Sequence, residues 1–209
     1  MEKKITLTVS KKLKKLINEQ LPNLKVLLTR EEDVFLSLKT RASIANQNQA
    51  DIFISVHCNY LRNAKNFRGS ETFVLGTNED NEFTEEIEMR ENESIVLEES
   101  YKENYAGFDP LTPESYIMFS MFQNLYLENS IVLATLVDAE LGHSTSVKSK
   151  GVKQGAFVVL KEANMPSILV ETGYLSNKYD EALLKSSKGQ DAIVQAILNA
   201  IIGYKHLVE

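Results

Sequence analysis

Two ionisable residues lie directly after apolar runs, where a buried strand would end. His57 follows the run at residues 52–56, and Glu171 follows the run at residues 168–170. A neutral imidazole can bind zinc, and a carboxylate can bind a metal or accept a proton. The pair therefore indicates metal-assisted or acid–base chemistry. From the residues alone a structural role stays open for both, because single histidines at strand ends are usually structural and buried glutamates often form salt bridges.

The other candidate residues carry weaker signals. Glu2 precedes the first predicted helix, where a carboxylate suits the positive end of the helix dipole. His143 lies in a Ser/Thr/Lys-rich segment and His206 lies near the C-terminus, and neither supports a functional role. Cys58 is the single cysteine, which excludes an intrachain disulfide and a zinc site built from several cysteines.

The spacing of apolar residues predicts the elements that must position these side chains. Helices are predicted at residues 5–17, 38–45 and 191–204, and a long helix is predicted from about Pro113, capped by Thr112 and ended by Gly142. Strands are predicted at residues 25–30, 51–57, 71–76, 155–160 and 167–171. This alternation predicts an α/β fold with a mostly parallel twisted sheet and helices on both faces. Ligands of such sheets bind beyond the carboxyl ends of the strands, where His57 and Glu171 lie.

Length, composition and charge limit the classes of protein to which the chain can belong. The chain has 209 residues, 43% of them hydrophobic, which is enough for one domain with a substantial core. No apolar run reaches the roughly 18 residues of a membrane span, and the first residues do not lead into the apolar stretch of a signal peptide. The net charge of −6 argues against a nucleic acid partner.

The negative charge is concentrated in one segment. Residues 79–103 hold eleven acidic side chains against Arg90 and Lys102, a net of −9, so the rest of the chain carries +3. The spacing of Ile87, Ile95 and Val96 predicts that this stretch is partly helical. We interpret residues 77–112 as an acidic helical insertion into a single domain that spans residues 1–209. A solvated acidic surface without a specific role is the other interpretation.

Four segments carry a resemblance to a known family. They are residues 27–30 (LLTR), 50–59 (ADIFISVHCN), 151–153 (GVK) and 164–177 (NMPSILVETGYLSN). In order and spacing they resemble the zinc-dependent N-acetylmuramoyl-L-alanine amidases of the type 3 family, over nearly the whole chain outside the insertion. The resemblance implies a hydrolase that cuts the amide bond between N-acetylmuramic acid and L-alanine in peptidoglycan. It also implies that the complete protein acts in the periplasm or cell envelope.

The resemblance implies roles for three residues. In the family, two histidines and a glutamate bind zinc, and a further glutamate assists the attacking water. His57 matches the second histidine, Glu2 the zinc-binding glutamate, and Glu171 the catalytic glutamate. The family's first strand, with its Asp-Pro-Gly-His-Gly-Gly loop and first zinc histidine, is expected upstream of Met1. We therefore expect this chain to lack one zinc ligand and to leave a central edge of the sheet unpaired.

The acidic insertion resembles the regulatory helix of amidases that act in cell separation. There a glutamate occupies the open zinc position until an activator protein moves the helix, and Glu91 is the candidate for that residue here. Two other readings of the chain stay open. One is a catalytically inactive, truncated amidase-fold protein that binds the cell wall or a partner. The other is an unrelated α/β module in which His57 and Glu171 are structural.

Overall fold

The computed structural model describes residues 1–62, 65–76, 82–98, 100–105, 107–110, 112, 115, 125–145 and 147–209. The described strands are β1 (Phe53–Asn59), β2 (Ser70–Leu75), β3 (Ser149–Gly155) and β4 (Ser167–Tyr174). The described helices are α1 (Glu2–Gln20), α2 (Leu38–Gln47), α3 (Glu82–Asn92), α4 (Tyr101–Asn104), α5 (Leu127–Ser144), α6 (Val158–Lys161), α7 (Lys178–Lys185) and α8 (Ser187–Val208). A 3₁₀ helix at Glu93–Leu97 follows α3.

The four strands form one sheet in the order β1-β4-β2-β3. The β1–β4 and β2–β3 pairs are parallel, and the β2–β4 pair is antiparallel. All eight residues of β4 are buried, as expected for a strand covered on both faces. The predicted α/β fold with a mostly parallel sheet is therefore confirmed.

The two faces of the sheet pack against separate apolar cores. Ile168 and Val170 of β4 face the first core, which includes residues of α1, α5 and α8. Leu169 between them faces the second core, which includes residues of α2, α3 and α6. This alternation follows from the two-residue period of a strand. Helices on both faces are thus held by the same short strand.

The helix predictions are confirmed where apolar residues repeat at helical spacing over several turns. The predicted helices at 5–17, 38–45 and 191–204 correspond to α1, α2 and α8, and the insertion contains α3 as expected. The predicted start of a helix at Pro113 lies outside the described residues, which show α5 from Leu127. Gly142 does not end that helix, because a glycine inside a helix costs only about 1 kcal/mol. The helix continues to Ser144, and Thr145 closes it by donating its N–H to the Leu141 carbonyl.

The predicted strand at 155–160 is wrong. The sheet instead uses residues 149–155 as β3, and the following apolar run turns into the short helix α6. Phe157 and Leu160 are buried in the second core, and this burial accounts for the apolar character of the run. A short buried helix and a short buried strand cannot be told apart by apolar pattern alone.

The predicted strand at 25–30 is also wrong, because this segment has no strand beside it. Among the described residues, none of its backbone groups forms a backbone–backbone hydrogen bond. A groove of about 1070 Å³ is lined by residues of this segment, including Val26 and Leu28, and by residues of β1, including Ile54 and Val56. Among the described strands β1 pairs with β4 alone, so its other edge has no strand beside it in the part of the chain that the structure describes.

Within the described ranges, no helix combines the length and the apolar character needed to cross a bilayer.

Replacing Ile168 tests the central position of β4. Ile168 is fully buried, so we expect Ile168→Ala to lower the free energy of unfolding by about 2–5 kcal/mol. Leu207 is 66% exposed, and Leu207→Ala should change it by no more than about 0.5 kcal/mol. Urea denaturation of both variants measures the difference. Equal stability of the two variants would contradict the assigned core.

Candidate active site

Strand register brings the two predicted residues together. His57 of β1 pairs with Glu171 of β4, and Glu171 also pairs with Glu71 of β2. Each of the three is an even number of residues from a residue of its own strand that is buried in the second core: Phe53 in β1, Phe73 in β2 and Leu169 in β4. Their side chains therefore emerge in a row on the same face of the sheet. Two of them were predicted from the sequence, and Glu71 was not.

Glu2, His57 and Glu91 form a compact cluster at the carboxyl end of β1. His57 Nδ1 lies 3.2 Å from Glu2 Oε1 and 2.7 Å from Glu91 Oε2. The other ring nitrogen, Nε2, lies 3.0 Å from the Ser55 hydroxyl. Glu2 Oε1 also accepts a hydrogen bond from the Cys58 backbone N–H. Both predicted zinc ligands and the predicted regulatory residue are thus in one place.

The donor set of this cluster fits zinc. One potential ligand atom from each of the three side chains lies within 4.8 Å of the other two. An imidazole nitrogen and carboxylate oxygens are ligands that zinc binds, and catalytic zinc sites commonly use three protein ligands. The Ser55 hydroxyl next to Nε2 can hold the imidazole orientation, as hydrogen-bond partners of zinc-binding histidines do.

Packing of α3 against the sheet places Glu91 beside His57. Ile87 of α3 and Ile95 of the following 3₁₀ helix are buried in the second core. The Asn92 amide donates to the Ala156 carbonyl at 2.7 Å and accepts from the Val158 N–H at 3.0 Å. These contacts hold the last turn of α3 over the row that contains His57 and Glu171.

Arg90 connects α3 to the rest of the site. Its Nη1 donates to Asn59 Oδ1 at 3.0 Å and to the Tyr60 carbonyl at 2.7 Å. Its Nη2 lies 2.5 Å from Glu91 Oε1 and 3.4 Å from Glu171 Oε1. The sequence marked Arg90 only as one of two basic residues in an acidic stretch, so this role was missed.

Comparison with known proteins identifies the family. The sequence profile of N-acetylmuramoyl-L-alanine amidases matches residues 1–203. The chain belongs to this family. The amidase chain is 31% identical over 204 residues to N-acetylmuramoyl-L-alanine amidase AmiC of Escherichia coli O6:H1. This match covers 97% of the chain and 47% of AmiC. It is 29% identical over 206 residues to N-acetylmuramoyl-L-alanine amidase AmiA of Salmonella typhimurium. That match covers 98% of this chain and 68% of AmiA.

A solved amidase structure has the same fold. The catalytic domain of CwlV, an N-acetylmuramoyl-L-alanine amidase from Bacillus (Paenibacillus) polymyxa var. colistinus, superposes with a TM-score of 0.70 at 25% identity. The match covers 99% of this amidase chain and 86% of that domain. The chain spans about half the length of AmiC and about two thirds of AmiA.

The charges of the amidase cluster stabilise one another. Burial by itself favours the neutral imidazole, but the carboxylates of Glu91 and Glu2 raise the pKa of His57 well above its ordinary value. Burial likewise opposes ionisation of Glu91, yet His57 and Arg90 together lower the pKa of Glu91 to about 2. Proximity of His57 and Glu91 therefore favours the charged form of both side chains.

The pKa of Glu171 is shifted in the opposite direction to that of Glu91. Its side chain is fully buried, and burial together with the negative charge of Glu91 raises its pKa well above the ordinary value, despite the nearby Arg90 and His57. Its Oε2 atom is buried and has no hydrogen-bond partner among the described residues. Glu171 is thus a carboxyl group that retains a proton to higher pH than usual while α3 is docked.

A second buried carboxylate, Glu71, is neutralised by its neighbours. Lys153 donates to Glu71 Oε1 at 2.7 Å, and the Tyr174 hydroxyl donates to Oε2 at 2.6 Å. Its position at the start of an apolar strand was the only sequence signal that could have found it. His143 and His206 lie at exposed positions of α5 and α8, and neither belongs to the three-residue cluster.

The stability of the metal-free amidase should depend on pH in two ranges. The pKa of Glu91 is lowered from 4.5 to about 2, so its stabilisation is present above pH 4.5 and is lost as the pH falls towards 2. The pKa of His57 is raised, so its stabilisation is present below pH 6.5 and is lost as the pH rises through the raised value. We expect the loss in the acid range to be roughly 3 kcal/mol, because one pKa unit corresponds to about 1.4 kcal/mol, and denaturation with a chelator present measures both losses. Glu91→Gln should flatten the acid range, and an unchanged acid range in that variant would contradict the assignment.

Proposed function

We propose that this domain hydrolyses the amide bond between N-acetylmuramic acid and the L-alanine of the peptidoglycan stem peptide. The observation that carries the proposal is the juxtaposition of two groups at the carboxyl ends of β1 and β4. One is the cluster of Glu2, His57 and Glu91, and the other is Glu171, which is buried and has an unpartnered oxygen. Membership of the amidase family supports the substrate class.

Glu2 and His57 are the residues that would hold a zinc ion, with Glu91 as a third ligand while α3 is docked. Bound there, zinc would supply Lewis acidity to the amide carbonyl and to a water molecule. The Ser55 hydroxyl and the Cys58 N–H keep the imidazole and the Glu2 carboxylate in place. These supporting contacts come from β1 itself, so folding of the strand also orients the ligands.

Glu171 is the proposed general base. In hydrolysis a new C–O bond forms to the lactyl carbonyl carbon, and the C–N bond to L-alanine breaks. Glu171 takes the proton from the water and passes it to the leaving amine nitrogen. Burial raises the pKa of Glu171 well above its ordinary value, which suits a group that must both accept and return a proton near neutral pH.

The insertion at residues 77–112 is the proposed regulatory element of a single domain spanning residues 1–209. In the docked position, Glu91 contacts His57 and Arg90 contacts Glu171, so α3 occupies both halves of the site. An activator protein that moves α3 would free both. This arrangement fits control of wall cleavage during cell separation, which requires hydrolysis only at chosen times.

The site of action follows from the substrate. Peptidoglycan lies outside the bacterial cytoplasmic membrane, so we propose that the complete protein acts in the periplasm or cell envelope. The acidic net charge of −6 disfavours nucleic acid as a partner.

Replacing Glu171 tests the proposed base. With zinc in excess, we expect Glu171→Gln to reduce peptide release from purified peptidoglycan by roughly 10²–10⁴-fold, because the amide cannot accept a proton. Zinc content should not change, since Glu171 is not a ligand. Glu128 is exposed on α5, so Glu128→Gln serves as the control. Loss of zinc together with activity in Glu171→Gln would show that the residue acts through the metal instead.

Replacing Glu91 tests the proposed regulation. Assayed in the complete protein with zinc in excess, Glu91→Ala should release peptide roughly 5–150-fold faster than the unaltered protein, the range usual for coupling between two states. Glu93 is an exposed neighbour outside the cluster, and Glu93→Ala should have no such effect. Deletion of residues 79–103 should raise the rate as Glu91→Ala does. An unchanged rate in both altered chains would remove the support for regulation by α3.

A further inference from the structure

Asn59 lies next to the proposed base without a role in the mechanism described above. It is the last residue of β1, two positions beyond His57, and its side chain is fully buried. Its Oδ1 accepts hydrogen bonds from the Tyr60 N–H at 2.7 Å and from Arg90 Nη1 at 3.0 Å. Its Nδ2 is buried and has no hydrogen-bond partner among the described residues. A buried amide with an unused donor calls for a ligand, because most such groups in folded proteins are paired.

Arg90 shows where a ligand could reach this amide. The same guanidinium nitrogen that donates to Asn59 Oδ1 also donates to the Tyr60 carbonyl at 2.7 Å, while its other terminal nitrogen reaches Glu171 Oε1 at 3.4 Å. The two acceptors and the proposed base therefore lie within the span of one guanidinium. Arg90 belongs to α3, so these acceptors lose their donor whenever that helix moves away.

One extended residue of a peptide matches what Asn59 then offers. The Asn side chain has an acceptor oxygen and a donor NH₂, and an extended residue points its own N–H and C=O to the same side. Paired with such a residue, Asn59 would form two hydrogen bonds: Oδ1 takes the ligand N–H in place of Arg90, and Nδ2 donates to the ligand C=O. The carbonyl of Tyr60 remains as a second acceptor for a neighbouring N–H.

We propose that Asn59 is a substrate-binding residue that pairs with the N–H and C=O of one extended residue of the stem peptide, and that Arg90 competes for the same oxygen while α3 is docked. This inference rests on the proposed function, because it takes the stem peptide as the ligand. It gives α3 two separate effects: Glu91 acts at the metal cluster, and Arg90 acts at the peptide-binding position.

The test measures binding without hydrolysis. The probe is N-acetylmuramoyl-L-alanyl-D-isoglutamine, titrated calorimetrically into the full chain with zinc removed by a chelator. Arg90→Ala should bind it about tenfold more tightly than the unaltered chain, because the competing donor is gone. Adding Asn59→Ala to Arg90→Ala should weaken binding again by about tenfold, the effect of a hydrogen bond left unmade. Arg62 is exposed, and Arg62→Ala should bind as the unaltered chain does.

The outcomes separate this inference from the proposed function. Equal affinity of Arg90→Ala and the double variant would overturn the inference and leave the proposed function standing. Affinity of Arg90→Ala equal to that of the unaltered chain would overturn the competition by Arg90. Absence of binding by every variant would overturn the inference, while the proposed function is decided separately by the Glu171→Gln assay. If Asn59→Ala does not fold, the side-chain amide signals of Asn59 in ¹⁵N-labelled Arg90→Ala decide the matter: they shift on addition of the probe if Asn59 binds it, and unshifted signals overturn the inference.

Discussion

The pairing of β1 with β4 is the constraint on which the site depends. This register sets His57 beside Glu171, and the adjoining antiparallel register sets Glu71 beside Glu171. A shift of one residue would turn each of these side chains into the opposite core. The shift is opposed because Ile168 and Val170 are buried on one face and Leu169 on the other. The apolar residues of β4 thus position the polar ones, and burial of the strand raises the pKa of Glu171.

The docked position of α3 is an electrostatic balance as well as a packing arrangement. Glu2 and Glu91 contact His57, and Glu91 also contacts Arg90. Removing such charged groups from water is costly, and separating one partner from the others would leave an uncompensated charge. The apolar contacts of Ile87 and Ile95 supply the part of the docking that is independent of charge.

Sequence pattern predicted most of the elements, and its failures have physical causes. α1, α2 and α8 were predictable because each repeats an apolar period over several turns. The run at 155–160 was misassigned because its residues are apolar through burial in the second core, whichever backbone conformation they adopt. Residues 25–28 alternate between exposed and partly buried as in a strand, but a strand also needs hydrogen-bonding neighbours. Which strands lie beside one another is decided by the whole fold and not by the sequence of one segment.

By itself the sequence determined the α/β class, the family, and the residue types at the ends of two buried strands. Those features depend on local pattern and on motifs that are contiguous in the chain, such as residues 164–177. Only the tertiary structure decided that ligand atoms of Glu2, His57 and Glu91 lie within 4.8 Å of one another and that Arg90 reaches Glu171. It also decided that Asn59 Nδ2 has no hydrogen-bond partner among the described residues. These residues are up to 169 positions apart along the chain, from Glu2 to Glu171. Their distances are set by strand register and by the seating of α3 on the second core, and no local pattern encodes either.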